Sequence, residues 1–528
     1  MCSQNYSHHD RLKIEGYAWP LSVEPGESVS LHISTNARTF SCTVARVGNS
    51  REVVWKKESV PGRLHAVPSN AASHGCDWPA CLRLRVPEDW KSGYYHVTLS
   101  GSDGSGFVAV GEIFFVVRAG KIRSRRLLVL STNTYNAYNT WGGASFYHGP
   151  EGPGRRLSFH RPLANFQRAE GLYKLGIPVG TEDAISMLDK GIVSEVLASE
   201  AAKCGVPLSQ QASVTVERPG VKWKIIDIFG VGGCYQVKRE DQMINFYNRS
   251  AAWLSGWHTW ERHFVSWAEL NGYDLDYATS LDLEFRPEIL QHYRLVLSVG
   301  HDEYWSSPMR DNLETFISAG GNAVFLSGNV AYWQVRSEDE GTAIVCWKND
   351  YKNDPVYRTG ERALLSTLWC HRLISRPENQ LTGVSFAFGG YHRFFDQYHD
   401  APHAYRVHKP DHWIFEGTGM KMGDSIPGLV GWEFHGDPDM DREGLKILGQ
   451  GTVWSNGTKP GLWASTIFPG PRGNFVFNAS TIFWAQGLES PPGHILPWSH
   501  YSRPLGPDHR IQRITRNLVE KAIAPRSS

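Results

Sequence analysis

From about Lys13 to Arg118, apolar and polar positions alternate in short runs broken at regular intervals by turn residues. Ser28–Ile33, Cys42–Val47, Leu82–Val86, Tyr94–Leu99 and Gly111–Val117 read as strands, with Pro-Gly at 25–26 and 61–62 and Asp-Gly at 103–104 as turns. Short strands without a helical period predict a β-sandwich, Ig-like or lectin-like, over residues 1–120. Past the basic hinge Lys121–Arg126 the pattern becomes that of an α/β chain. The run Leu127–Leu130 is short, apolar and uninterrupted, as expected of a strand covered on both faces. It empties into a loop rich in Asn, Tyr and Gly, from Thr132 to Gly143.

The plainest unit lies between Leu295 and Asn329. Leu295, Val296, Leu297 and Val299 form a strand that ends at Gly300 and delivers His301, Asp302, Glu303 and Tyr304 together. After Pro308, the residues Met309, Leu313, Phe316 and Ile317 recur at helical spacing, and Gly320-Gly321 stops the helix. Ala323–Leu326 is a second strand, emptying into Ser327, Gly328 and Asn329. Such a βαβ unit places polar clusters at the carboxyl ends of parallel strands, where open α/β sheets hold ligands. In an extended loop His301 and Glu303 point to one side and Asp302 to the other. Capping of the following helix by Asp302 or Glu303 would be the plain structural alternative.

Helices are also predicted at Ala184–Ala198 and Trp260–Leu270, and strands at Lys224–Phe229, Tyr273–Ala278 and Ala343–Trp347, the last with Lys348 at its end. An insertion spans about 203–248. Strand and turn resume at about Leu381–Phe415 and Leu445–Phe477, with Leu429–Phe434 and Asn474–Asn478 clearest. The α/β catalytic portion covers 121–490, and 491–528 holds a Pro-rich linker and a closing helix, Arg510–Ala522.

Composition removes several classes of function. The chain has 54 basic and 53 acidic residues, so nothing favours nucleic acid or an anionic membrane surface as a partner. Residues 1–13 lack the apolar core of a secretory signal, and no run approaches the roughly 18 apolar residues of a spanning helix, which makes a cytoplasmic location the expectation. The 8 cysteines include no C-x-x-C pair, against a zinc ribbon or redox motif, and Cys76 and Cys81 are expected to be free thiols. There is no G-x-S-x-G, P-loop or H-E-x-x-H sequence. Cys346 lacks the small neighbours of a nucleophile elbow, and His412 is expected to be structural.

Gly300-His-Asp-Glu-Tyr-Trp-Ser306, Ala319-Gly-Gly-Asn322, Ser327-Gly-Asn329 and Trp333-Gln-Val-Arg336 resemble the catalytic domain of the N,N-dimethylformamidase large (β) subunit family. So do Thr134-Tyr-Asn-Ala-Tyr-Asn139, Trp141-Gly-Gly143, Ser158-Phe-His-Arg-Pro162, Gly272-Tyr-Asp-Leu-Asp-Tyr277, His412-Trp-Ile-Phe-Glu-Gly-Thr-Gly419 and Val476-Phe-Asn-Ala-Ser480. The resemblance runs from about 122 to 487. It implies a glutamine-amidotransferase-like parallel α/β domain with C-terminal β segments, and hydrolysis of a small carboxamide at a linear C–N bond. It also implies one Fe(III) per chain, held by two tyrosines and a glutamate. Phenolate and carboxylate are hard oxygen donors that suit Fe(III) better than zinc. Carried over, the ligands are Glu303, Tyr138 (with Tyr135 as its rival) and Tyr147. His301 becomes a base or proton shuttle, Asn329 a carbonyl or oxyanion donor, and Lys348 an electrostatic partner. A small partner subunit and a homo-oligomer follow from the same resemblance. The alternative is a non-catalytic or carbohydrate-binding relative that keeps the cleft without the metal.

Overall fold

The structure is a computed structural model that describes residues 12–102, 108–121, 124–147, 149, 152–163, 212–218, 221–227, 235–239, 242–246, 255–386, 390–391, 403–431, 433–436, 438, 440–455, 459–491 and 506–525. The helix expected at Ala184–Ala198 and the Asp103-Gly104 turn lie outside them. The chain is mixed α/β and rich in strands.

Two sheets form the N-terminal part. One holds Ile14–Trp19, Ser28–Thr35 and Ala80–Arg85; the other orders Ser22–Val23, Val108–Val117, Gly93–Ser102, Thr39–Val47 and Arg51–Pro61. Their inward positions share one core, in which Val29, Leu31 and Ile33 from the first sheet meet Val44, Val97 and Phe115 from the second. Alternation in the sequence is the direct cause, since every second side chain faces this core. Cys76 and Cys81 are free thiols.

The element that carries the site is a seven-stranded sheet in the order Asp276–Thr279, Arg126–Leu130, Leu295–His301, Asn322–Gly328, Phe475–Asn478, Lys459–Pro469 and Lys446–Ser455. The first five strands are parallel and the last two antiparallel. Register pairs Leu295 with Asn322 and His301 with Gly328, so the two polar strand ends are level. The uninterrupted apolar runs follow from cover on both faces. Leu128, Leu130, Leu297 and Val324 enter one core, and Leu127, Val129, Val296 and Phe325 enter the other. Each such side chain contributes roughly 1.5–3 kcal/mol on burial. Between the paired strands runs the helix Ser307–Ser318, which buries Met309, Leu313, Phe316 and Ile317. A helix at His509–Ile523 closes the chain's described part.

Three expectations need correcting. The loop after Leu130 is a helix, Thr132–Tyr138, with all seven side chains buried; burial overrides the weak helix preference of Thr, Asn and Tyr. The run Ala343–Trp347 is a strand only to Val345, because Lys348 turns to φ +51° at the start of a 3-10 turn. Leu429–Phe434 divides into Ser425–Val430 and Glu433–Phe434. Of the insertion at 203–248, four antiparallel strands are described: Ala212–Arg218, Val221–Asp227, Tyr235–Arg239 and Gln242–Phe246.

Candidate active site

The Leu295–His301 strand is wholly buried, and its last residue but one has to be glycine. Gly300 has φ +83°, and a Cβ there would lie 2.2 Å from the Trp260 Cβ. Beyond it the side chains alternate. His301 Nε2 lies 3.4 Å from Glu303 Oε2. Asp302 points the other way and accepts a bond of 2.7 Å from the Ser298 hydroxyl, which is 2.8 Å from that of Ser327. The helix that follows is capped by Ser306, whose side chain accepts from the Met309 amide. Neither Asp302 nor Glu303 is therefore consumed as a cap, and Glu303 stays available to the cleft.

The Thr132–Tyr138 helix separates the two rival tyrosines. Tyr135 donates to Glu261 at 2.5 Å, away from the strand ends, whereas Tyr138 donates to Glu303 Oε2 at 2.8 Å. Tyr147 comes to the same carboxylate, its hydroxyl 2.8 and 2.9 Å from the two oxygens and 3.0 Å from the Tyr138 hydroxyl. Tyr304 donates to Tyr147 at 2.7 Å. Lys348 Nζ stands 3.4 Å above the centre of the Tyr147 ring and 5.0 Å from that of Trp333.

Asn329 completes the opposite wall, held at φ +49°. Its Nδ2 donates to Glu433 Oε2 at 3.2 Å, and Glu433 Oε2 lies 2.6 Å from His301 Nε2. The next amide, Val330 N, donates to His435 Nε2 at 3.0 Å. Thus the structure brings together Tyr138, Tyr147, His301, Glu303, Asn329 and Lys348, and adds Tyr304, Glu433 and His435. Sequence reasoning omitted the last two for want of a partner. Their partners lie more than a hundred residues upstream, and the available signal was alternation in Glu433-Phe434-His435, which puts both polar groups on one side of a short strand.

Electrostatics divide these groups by role. Burial alone would pull the His301 imidazole down, but Glu433 and Glu303 outweigh it and hold it well above its usual range. Glu303 is the converse case: burial would raise it, yet His301, Lys348 and the Tyr138 bond keep it low. Burial brings the Lys348 amine down to about 8 against the pull of Glu303. Tyr138, Tyr147 and Tyr304 are pushed well above 10 by burial and by the Glu303 charge. His435 is lowered by burial to about 3, so it serves Val330 as a neutral acceptor.

Two phenols and one carboxylate, all oxygen donors within hydrogen-bonding distance of one another, fit a hard trivalent cation better than a soft one. Phenols this reluctant to ionise would ligate as phenolates only beside a strong positive charge, which such a cation itself supplies. Among the described residues no group of three or more His, Cys, Asp and Glu side chains is arranged to hold a metal ion, so any cation at this site depends on the tyrosines. Also among the described residues, no helix is long and apolar enough to cross a membrane.

A family described as N,N-dimethylformamidase beta subunit-like, C-terminal, matches residues 41–496. The chain is similar to the N,N-dimethylformamidase beta subunit of Paracoccus aminophilus, at 25% identity over 305 residues, covering 49% of this chain and 36% of the relative. The beta subunit from Alcaligenes sp is 24% identical over 307 residues, with the same two coverages of 49% and 36%. The matched part of the chain thus spans about a third of the length of these curated relatives.

Proposed function

Because the chain belongs to the N,N-dimethylformamidase beta subunit-like, C-terminal family, we propose that the Tyr138–Tyr147–Glu303 cluster is the centre of an iron-dependent hydrolase of a small carboxamide. The observation that carries this reading is the convergence of two phenols, Tyr138 buried and Tyr147 partly buried, on one carboxylate, with His301 and Glu433 beside it. One Fe(III) per chain, held by Tyr138, Tyr147 and Glu303, would polarise the amide carbonyl or acidify a water.

Hydrolysis adds a water oxygen to the carbonyl carbon and breaks the C–N bond, so one proton leaves water and one reaches the amine nitrogen. His301 and Glu433 are built to share such a proton across 2.6 Å. Glu433 receives it from water, and His301 Nε2 holds it for the departing amine. Asn329 Nδ2 carries two hydrogens and gives one to Glu433; the other is left to bond a carbonyl oxygen as charge develops there. Lys348, stacked on Tyr147, offsets negative charge on the phenol side of the cluster.

The parallel strands fit a glutamine-amidotransferase-like layout, and the N-terminal sheets, with their common core, fit a sandwich. The relatives are named as beta subunits, which supports a partner subunit here as well. The test is direct. Purified protein should contain about one iron per chain, show the visible colour of ferric phenolate, and hydrolyse members of a panel of small formamides and acetamides. Glu303→Gln should lose iron and activity while keeping its fold. A colourless, iron-free protein that stays inactive after ferric reconstitution would overturn the reading.

A further inference from the structure

The Ser158-Phe-His-Arg-Pro162 sequence is not used by the chemistry above, yet it ends in one of the most enclosed cations of the chain. Arg161 is 2% exposed, and no carboxylate pairs with it among the described residues. Its Nε donates to Ser158 O at 2.9 Å, Nη1 to the carbonyls of Trp141 and Ala144, and Nη2 to Asn136 through both O and Oδ1. All five N–H groups are thereby spent, almost entirely on main chain. Burying a charge without an ion pair costs several kcal/mol. The compensation comes from carbonyl dipoles, one of them near the C-terminal end of the Thr132–Tyr138 helix, where a cation is favoured. Burial takes the guanidinium down only to about 9, so it remains charged at neutral pH.

What those carbonyls have in common is their place in the chain. Asn136 stands two residues before Tyr138, and Trp141 and Ala144 lie between Tyr138 and Tyr147. One planar fork therefore grips the segment on both sides of the first tyrosine and just ahead of the second. Lesser bonds work in the same direction: Phe146 N donates to Ala137 O at 3.0 Å and Asn139 Nδ2 to Pro162 O at 2.9 Å. Beside the helix lies a small open pocket of about 40 Å³, lined by Tyr135, Asn136, Asn139, Phe159, Arg161 and Leu163, among others.

We propose that Arg161 is a positioning residue that sets the distance between the Tyr138 and Tyr147 hydroxyls at Glu303. Lysine cannot take its place, since an ammonium has three donors and no planar fork. The metal-dependent half of the proposal rests on the ferric reading of the site, and the geometric half does not.

The experiment therefore has two arms, run on the full chain as wild type, Arg161→Ala and Arg161→Lys. In metal-free protein, hydrogen exchange of the amides of residues 139–147 should quicken about tenfold or more in Arg161→Ala, with the Leu295–His301 strand unchanged. On titration with ferric ion, Arg161→Ala should bind about 10–100-fold more weakly and show a displaced charge-transfer band. Guanidinium ion at low millimolar concentration should restore both, which a general loss of stability would not allow. Arg161→Lys should be intermediate in both arms, and it serves alone if Arg161→Ala does not fold. Unchanged exchange over 139–147, or quickened exchange with wild-type ferric affinity and band position, overturns the proposal. If wild type itself binds no ferric ion, the ferric reading falls and the exchange arm alone decides on Arg161.

Discussion

His301 lies between two carboxylates, and the distances decide which one shares its proton. Glu433 at 2.6 Å is the nearer of the two, while Glu303 at 3.4 Å also takes the two phenols. On the proposed reading, Glu433 is the acid–base partner and Glu303 the anchor of the cluster. Glu433→Gln should therefore cut kcat on the proposed amide substrate by about 10²–10⁴-fold, the usual worth of a positioned acid or base, while iron content stays at the wild-type level. Loss of iron along with activity would show that Glu433 supports the metal cluster instead. Glu303 and His301 were legible because both stand at the end of one plain strand. Glu433 was not, because only the fold shows that a two-residue strand late in the chain faces them. Tyr304 was passed over for a different reason. It follows Glu303 directly, but in extended backbone it should point away; it returns to the site by reaching Tyr147 rather than Glu303.

At the scale of single elements, the βαβ unit around Leu295–Asn329 could be read almost residue by residue, since its apolar period and glycine stops agree with the tertiary packing. The Thr132–Tyr138 helix could not. Its residues have no apolar stripe, and its order comes from what it touches on two sides, with Tyr135 turned to Glu261 and Tyr138 to Glu303. The Glu261 side makes a prediction of its own. Burial raises its carboxyl from the ordinary 4.5 to about 7 in spite of the Tyr135 bond, with Tyr94 and Asp302 also near. A folded pKa above the unfolded one means the folded state holds the proton longer. Stability is then full below about pH 4.5, declines as pH rises, and has lost this contribution above about pH 7. Glu261→Gln, which can still accept from Tyr135, should match wild type near pH 4.5 and exceed it by up to about 3 kcal/mol above pH 7. Urea midpoints of both proteins across that range provide the measurement, and a difference that does not vary with pH would refute the assignment.

For the whole molecule, the question is how the N-terminal sheets are joined to the part that carries the site. The change in sequence pattern near residue 120 is real, but the core is continuous across it: Tyr94, Phe114 and Val116 pack with Leu128, Tyr135 and Trp257. Tyr94 stacks on Trp257 at 4.3 Å, and Arg46 pairs with Glu269 at 2.8 Å. A buried tie is Arg118, 3% exposed, which donates to Asp282 Oδ1 at 3.1 Å and Ser22 Oγ at 2.9 Å. Asp282 is also buried and closes the capping box with Thr279, so one carboxylate fixes both a helix start and the junction. The outer partners of Arg118, Glu24 and Glu27, are 41% and 48% exposed, and pairs of that kind contribute at most about 1 kcal/mol. Among the described residues, removing the cation from the buried pair leaves Asp282 with only Arg286 at 3.6 Å as a charged partner. Arg118→Ala should then cost about 3–5 kcal/mol, against less than about 1 kcal/mol for Glu24→Gln with Glu27→Gln. Because a chain of this size need not unfold in one step, the comparison is made on the urea midpoint of the first transition, followed by Trp257 among other tryptophans through fluorescence. Equal shifts for the two variants would mean that the buried pair is not what fastens the junction, and that the shared apolar core does so alone.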